Sequence, residues 1–144
     1  MRKTLTFRHS YPVAPDRLFD LVTDLDTLDA VTKPWVQFDH LPSGQVRQGQ
    51  VIDVAMSVFG LLPMQPYRMR VELFDPGTRR MTTVEDGLGV HKLTHALEVR
   101  GGGEQAQLLD VIEIDAGWKT PLVAIWAWLV YRWRHHVRLR LLRG

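Results

Sequence analysis

One long helix is predicted at the C-terminus, because the chain there has a clear helix start and then no helix breaker. Thr120 is a favourable N-cap and Pro121 a favourable first-turn residue, and neither glycine nor proline occurs again before Gly144. The helix therefore spans about 23 residues. The segment 36–114 before it consists of strand-like runs, so a single long helix has to cover a whole sheet.

The N-terminal part of the chain predicts one strand followed by two short helices. Residues 3–12 alternate between two faces, as in a strand with one buried side. One of the two faces holds Leu5, Phe7, His9 and Tyr11. The spacing of apolar residues then predicts a first helix at about 15–23 and a second from about 24 to the residue before Pro34.

Turn signals divide the segment 36–114 into about six more strands. The clearest signals are Pro42-Ser43-Gly44, Asp75-Pro76-Gly77, Asp86-Gly87 and Gly101-Gly102-Gly103. Helices that are segregated from a mostly antiparallel sheet are typical of an α+β domain. A curved sheet of about seven strands with one long helix to cover it leaves an apolar cavity between them. The 144 residues are expected to form a single domain, 1–144.

Composition and charge exclude several classes of protein. The chain has no cysteine, so disulfides and thiolate metal sites are impossible, and no other metal site or cofactor is predicted. Five of the 18 basic residues are arginines after Tyr131, which leaves 13 basic and 16 acidic residues before that point. A nucleic-acid partner is therefore not expected.

The longest apolar stretch, 122–131, is about half of what a bilayer requires, so the chain is not expected to be transmembrane. Without a signal-peptide pattern, a cytoplasmic location is expected.

Several segments resemble the START-like, or SRPBCC, superfamily of helix-grip proteins. The first two are VAPDRLF at 13–19, followed by Asp24, and LDAVTKP at 28–34, which look like the family's opening helices. The others are HKLTHAL at 91–97 with its glycine turn, LLDV at 108–111 and YRWRH at 131–135. The resemblance implies a helix-grip fold of the polyketide cyclase-like, ligand-binding bacterial kind. It does not imply one reaction, because this superfamily contains carriers, sensors and enzymes.

One histidine and one carboxylate are candidates for chemistry inside the sheet. If the hairpin turn is centred near residues 101–102, Leu93 pairs with Asp110 and His95 with Leu108. His95 and Asp110 then lie diagonally on one apolar face. Such a pair serves as a general base or fixes a polar group of a ligand, whereas the structural alternative is that each only satisfies the other's hydrogen bonds.

The strands also carry many methionines and aromatic residues, which suit a cavity for irregular apolar shapes but equally suit an ordinary core. Our first hypothesis is a non-catalytic protein that binds or carries a hydrophobic or amphipathic small molecule of lipid, aromatic or polyketide-like type. The alternative is a cyclase- or hydratase-type enzyme with His95 and Asp110 as its acid/base pair. The residues predicted to bind the ligand are Trp35, Phe59, Tyr67, Met69, His95, Asp110 and Trp126.

The long helix is expected to close the cavity with one apolar stripe. At 100° per residue the stripe contains Leu122, Ile125, Trp126, Leu129, Trp133 and Val137. On the opposite side lie Trp128 and Tyr131 beside Arg134 and Arg138, which suggests either isolated exposed side chains or a surface for a second subunit or a peripheral membrane contact. His135 and His136 are expected at a solvated helix end, since adjacent helix positions point about 100° apart and cannot chelate one ion.

Overall fold

The computed structural model describes residues 2–58 and 63–143, which form seven strands and three helices. The strands are β1 (Lys3–Tyr11), β2 (Val36–Asp39), β3 (Val51–Val58), β4 (Gln65–Asp75), β5 (Arg80–Gly87), β6 (Val90–Gly102) and β7 (Gln105–Asp115). The helices are α1 (Pro15–Val22), α2 (Leu25–Thr32) and α3 (Thr120–Arg143), and a 3₁₀ turn at Gly117–Lys119 precedes the last one.

All seven strands belong to one antiparallel sheet in the order β1-β7-β6-β5-β4-β3-β2. The sheet curls around α3, and the pairing register shifts between Val71 and Leu73 in β4 and between Glu85 and Gly87 in β5. Such irregularities increase the local bend of a sheet. The predicted α+β helix-grip arrangement, with a curved sheet, two short helices and one long C-terminal helix, is therefore confirmed.

The two short helices form where the sequence signals place them. Pro15 occupies the first position of α1, where its missing N–H costs nothing. In α2, the side chain of Asp24 accepts hydrogen bonds from the backbone N–H groups of Asp26 and Thr27, at 2.8 and 3.2 Å. This N-cap satisfies two of the four free donors of the first turn.

The register predicted for the β6–β7 hairpin is wrong by four residues, because the turn lies two residues further along the chain than predicted. His95 pairs with Ile112 and Leu97 with Asp110, because the ladder continues through the glycines until Gly102 pairs with Gln105. Gly101 makes this possible: its φ is +133°, and a Cβ there would lie 2.3 Å from the Gln105 carbonyl oxygen. A shift of four residues, an even number, keeps every side chain on its predicted face.

The predicted inward stripe of α3 is only partly right, because Val137 is buried and Trp126 and Trp133 are half-buried, but the other three residues are not. Leu122, Ile125 and Leu129 are exposed, whereas Tyr131, predicted to face outward, is buried. The buried stripe consists of Thr120, Ala124, Ala127, Val130, Tyr131, Val137 and Arg138. Small side chains in the first half of this stripe let the helix approach β1 and β7 closely. Leu122, Ile125 and Leu129 lie on other sides of the helix and remain exposed.

Candidate functional site

A cavity of about 430 Å³ lies between the concave face of the sheet and α3. Its wall is mostly apolar and includes Ile52, Met56, Met69, Val71, Met81 and Leu97 from four strands. Alternation along each strand places these side chains on the inner face of the sheet. Because the sheet is curled, these side chains remain apart at the centre, and the space between them is the cavity. Along α3, the lining extends from Leu122 to Arg138, an axial distance of about 24 Å.

Four of the predicted ligand-binding residues line this cavity: Tyr67, Met69, His95 and Trp126. Asp110 is buried behind His95 and is not part of the wall. Trp35 packs against the main core and is not among the described residues of the cavity wall, and its role in ligand binding stays a prediction. The prediction for Phe59 lies outside the described residues.

His95 and Asp110 are buried neighbours, as expected, although the register between their strands differs. His95 Nε2 lies 2.7 Å from Asp110 Oδ1, and the two residues are 7% and 1% exposed. The hydroxyl of Tyr131 lies 3.3 Å from the other ring nitrogen, His95 Nδ1. When Asp110 is ionised and His95 neutral, Nε2–H donates to the carboxylate and Nδ1 accepts from Tyr131. The three side chains thus form one hydrogen-bonded row that ends in the cavity wall.

The environment of Asp110 favours its charged form. Desolvation is the largest influence and acts to raise the pKa of this carboxyl, but the hydrogen bond and charge of His95 and the positive charges of Arg138 and Arg134 outweigh it. The pKa of Asp110 is therefore lowered. An ionised Asp110 in turn accepts the Nε2–H hydrogen bond and orients His95, as a carboxylate does for a histidine base.

A second polar cluster in the cavity wall was missed by the sequence analysis. The hydroxyl of Tyr67 donates to Glu85 Oε1 at 2.7 Å, and the hydroxyl of Thr83 donates to Glu85 Oε2 at 2.8 Å. Burial, followed by the negative charge of Glu85, raises the pKa of Tyr67 and keeps its phenol protonated. A signal for Glu85 was available, because Met81, Thr83 and Glu85 alternate with the other face of β5.

Two arginines from α3 also reach the cavity wall, where outward positions were predicted. Arg138 is only 4% exposed, and the guanidinium carbon of Arg134 lies 4.3 Å from the centre of the Tyr131 ring. Desolvation, the largest influence, raises the pKa of Tyr131, and the charge of Arg134 opposes this. The small-residue spacing of Thr120, Ala124 and Ala127 continues to these positions and was the available signal.

His135 is not at a solvated helix end, which corrects the sequence-based expectation. Its Nδ1 lies 2.9 Å from the hydroxyl of Tyr11, and its ring stacks on His9 with the ring centres 4.2 Å apart. Desolvation lowers the pKa of His9, although the charge of Asp110 opposes this. The inner face of β1 is therefore joined to α3 by a layer of polar rings.

Residues 2–58 and 63–143 contain neither a metal site nor a membrane-spanning helix. No three histidine, aspartate or glutamate side chains there are placed so that they could hold a metal ion. None of the helices in these ranges combines the length and the hydrophobicity that a membrane-spanning helix needs.

Similarity to known proteins is found in structure and not in sequence. No family model matches the chain, and no curated protein matches it. A protein from Rhodobacter sphaeroides superposes with a TM-score of 0.76 at 15% identity, over 97% of this chain and 92% of that one. A START superfamily protein from Mycobacterium smegmatis has a TM-score of 0.69 at 10% identity, over 94% of both chains. The Zhui aromatase/cyclase from a Streptomyces species has a TM-score of 0.65 at 15% identity, over 97% and 90%. The chain therefore has the START-like, or SRPBCC, helix-grip fold.

Proposed function

We propose that this protein binds a hydrophobic or amphipathic small molecule in the cavity between the sheet and α3. The observation that carries the proposal is the cavity itself, which is about 430 Å³ in volume and mostly apolar, with polar groups at a few positions. Small-molecule sites have this size and this combination of apolar wall and convergent polar groups. The shared fold with a START superfamily protein and an aromatase/cyclase adds support.

Binding of a neutral fluorescent dye, Nile red, tests this proposal. The dye should bind the wild-type protein, and Met69→Trp should weaken binding because the larger side chain fills the cavity, at a cost of about 1–3 kcal/mol in stability. Met64→Trp is the matched control, since Met64 is 44% exposed and outside the wall. Equal dye binding by all three proteins, or none by the wild type, would contradict the proposal.

A second candidate function is catalysis, favoured by the row Asp110–His95–Tyr131. An oriented histidine that contacts a cavity-facing phenol has the parts of a proton-transfer site. Tyr67 and Glu85 supply a second hydrogen-bonding pair in the same wall. In this reading, His95 accepts or donates a proton on a polyketide-like or aromatic substrate, and Asp110 orients it.

Native mass spectrometry separates binding from catalysis. Wild type and His95→Gln, purified from the same host, should carry co-purified ligands of the same mass if the protein only binds them. A difference in mass between the two, such as the mass of one water, would support catalysis through His95. The His95→Gln variant keeps a hydrogen-bonding side chain, so the Asp110 carboxylate retains a partner.

We also propose that the exposed side of α3 rests on an anionic membrane surface. This side, the α3 outer face, consists of Leu122, Ile125, Trp128 and Leu129, with Trp118 next to it; all five are exposed. Lys119 and Arg132 lie against the two tryptophans, at 5.6 and 4.6 Å from the ring centres. Exposed aromatic rings with adjacent cations match the polar and negatively charged boundary of such a bilayer. A contact between the α3 helices of two copies lacks this complementarity, because no acidic residue occurs after Asp115. The cytoplasmic location stays a prediction.

A further inference from the structure

The cavity wall contains buried hydrogen-bond donors that have no partner among the described residues. They are Trp126 Nε1, Arg134 Nε, and Arg138 Nε and Nη1. The wall residues show no unpartnered buried acceptor in the same parts of the chain, since Asp110 Oδ2 and His9 Nδ1 belong to residues outside the wall. Buried polar groups normally have hydrogen-bond partners. A molecule that fits this wall therefore brings acceptors.

Arg138 has two unpartnered hydrogen-bond donors, more than any other wall residue among those described. It is 4% exposed, and Tyr11 is its hydrogen-bonding neighbour at the side of the cavity. Neither Arg138 nor Arg134 forms an ion pair with a carboxylate within the described ranges. An uncompensated buried charge is costly, and guanidinium groups match carboxylates in geometry and charge.

Asp110, the buried acid whose pKa both arginines lower, already has a hydrogen-bond partner. Asp110 Oδ1 accepts from His95, and both arginines lower the pKa of Asp110 through space without contacting it. Because Asp110 lies behind His95, its charge does not face the cavity directly. An anion in the cavity meets the two guanidinium groups and the Tyr131 phenol first.

We propose that the ligand is an apolar carboxylate whose anionic group is bound by Arg134 and Arg138. This inference rests on the proposed binding function and deepens it by naming the ligand class. The hydrocarbon or aromatic body extends along α3 past Trp126 toward Leu122, where the wall is apolar. The indole N–H of Trp126 is available to a second oxygen on that body, such as a ketone.

Comparison of dodecanoate with dodecanol by isothermal titration calorimetry at pH 8 tests the proposal. The two probes share a chain, and only the first carries a charge at this pH. Dodecanoate should bind the wild type about tenfold to hundredfold more tightly than dodecanol, as for a hydrogen-bonded charge. Arg138→Gln and Arg134→Gln should each lose most of this preference while dodecanol still binds.

The control and the second variant keep the test decisive. Arg140→Gln removes the same charge from an exposed position of the same helix and should keep the preference. Arg134 is only partly buried, so Arg134→Gln is informative even if Arg138→Gln does not fold. Equal affinity of the wild type for both probes, or an unchanged preference in the folded arginine variants, overturns the carboxylate inference and leaves the binding function standing. Failure of both probes to bind overturns the binding function itself.

Discussion

At the scale of single residues, His135 is held where protonation is unfavourable. Desolvation lowers its pKa to about 4, and the nearby His9, His136 and Arg138 add to this effect. In the unfolded chain a histidine has a pKa of about 6.5. Between these two pH values the unfolded state binds more protons than the folded state, so stability decreases as the pH falls from about 6.5 to about 4. Below that window His135 adds no further loss.

The corresponding prediction is that His135→Gln reduces the loss of stability on acidification. Glutamine can still accept from the Tyr11 hydroxyl but does not titrate. The measurement is the free energy of unfolding in urea at several pH values between 6.5 and 4. His40→Gln is the control, because the side chain of His40 is 77% exposed. An equal pH dependence in wild type and His135→Gln would show that folding does not change the pKa of His135 and would contradict the prediction.

How well a site residue could be predicted depended on the element that carries it. The period of two along β6 and β7 placed His95 and Asp110 on one buried face even though the register was wrong. Arg134 and Arg138 could not be placed by the same reasoning, because hydrophobic periodicity assigns charged residues to the solvent side of a helix. The sequence signal for their burial is the spacing of small residues earlier in α3, and the cavity that they face forms only in the folded chain.

At the scale of elements, the orientation of α3 decides which of its side chains stabilise the fold. Tyr131 is 6% exposed and stacks on Phe7 with ring centres 5.5 Å apart, whereas Ile125 is 61% exposed. The helix therefore packs through Tyr131, the alanines and two valines, whereas the exposed Ile125 contributes little to the core. This orientation is rotated from the one that apolar spacing alone predicts, since Tyr131 faces inward and Ile125 faces outward.

A pair of substitutions tests this orientation. Tyr131→Ala should lower the free energy of unfolding by about 3–5 kcal/mol, because it removes a large buried ring and leaves a cavity. Ile125→Ala should change it by less than about 0.5 kcal/mol, as at other exposed positions. Thermal or urea unfolding of the two variants is the measurement. A larger loss for Ile125→Ala than for Tyr131→Ala would mean that the side of α3 with Ile125, and not the side with Tyr131, faces the core.

At the scale of the whole molecule, the order of elements was sufficient to predict the fold. A strand, two short helices, a run of strands and one long helix leave few ways to cover the sheet, and a curled sheet around the helix is one that buries both. Glycine turns and the Asp24 cap set the boundaries to within a residue or two. The ligand could not be predicted in the same way, because it depends on side chains from several elements that meet only in three dimensions.

The α3 outer face and the cavity meet at one end of the molecule, since Trp118 and Leu122 are exposed and also line the cavity. A membrane that contacts this face would lie at the cavity entrance, and an apolar ligand could then pass between bilayer and cavity without crossing water. The membrane proposal and the binding proposal are thus connected by geometry. They are independent in their tests, because Ile125 and Trp128 belong to the face and not to the cavity wall.

The last prediction is that the protein binds vesicles containing phosphatidylglycerol but not vesicles of phosphatidylcholine alone, in co-sedimentation at low salt. Changing Ile125 and Trp128 together to Ser should weaken this binding about tenfold or more, because apolar contact area with the bilayer is lost. Leu141→Ser is the control, an exposed apolar position of α3 outside the outer face, and should bind like wild type. Added salt should weaken the wild-type interaction through screening of Lys119 and Arg132. If vesicle binding is absent and sedimentation equilibrium instead shows a dimer that the double variant abolishes, the outer face contacts a second copy and the membrane proposal is wrong.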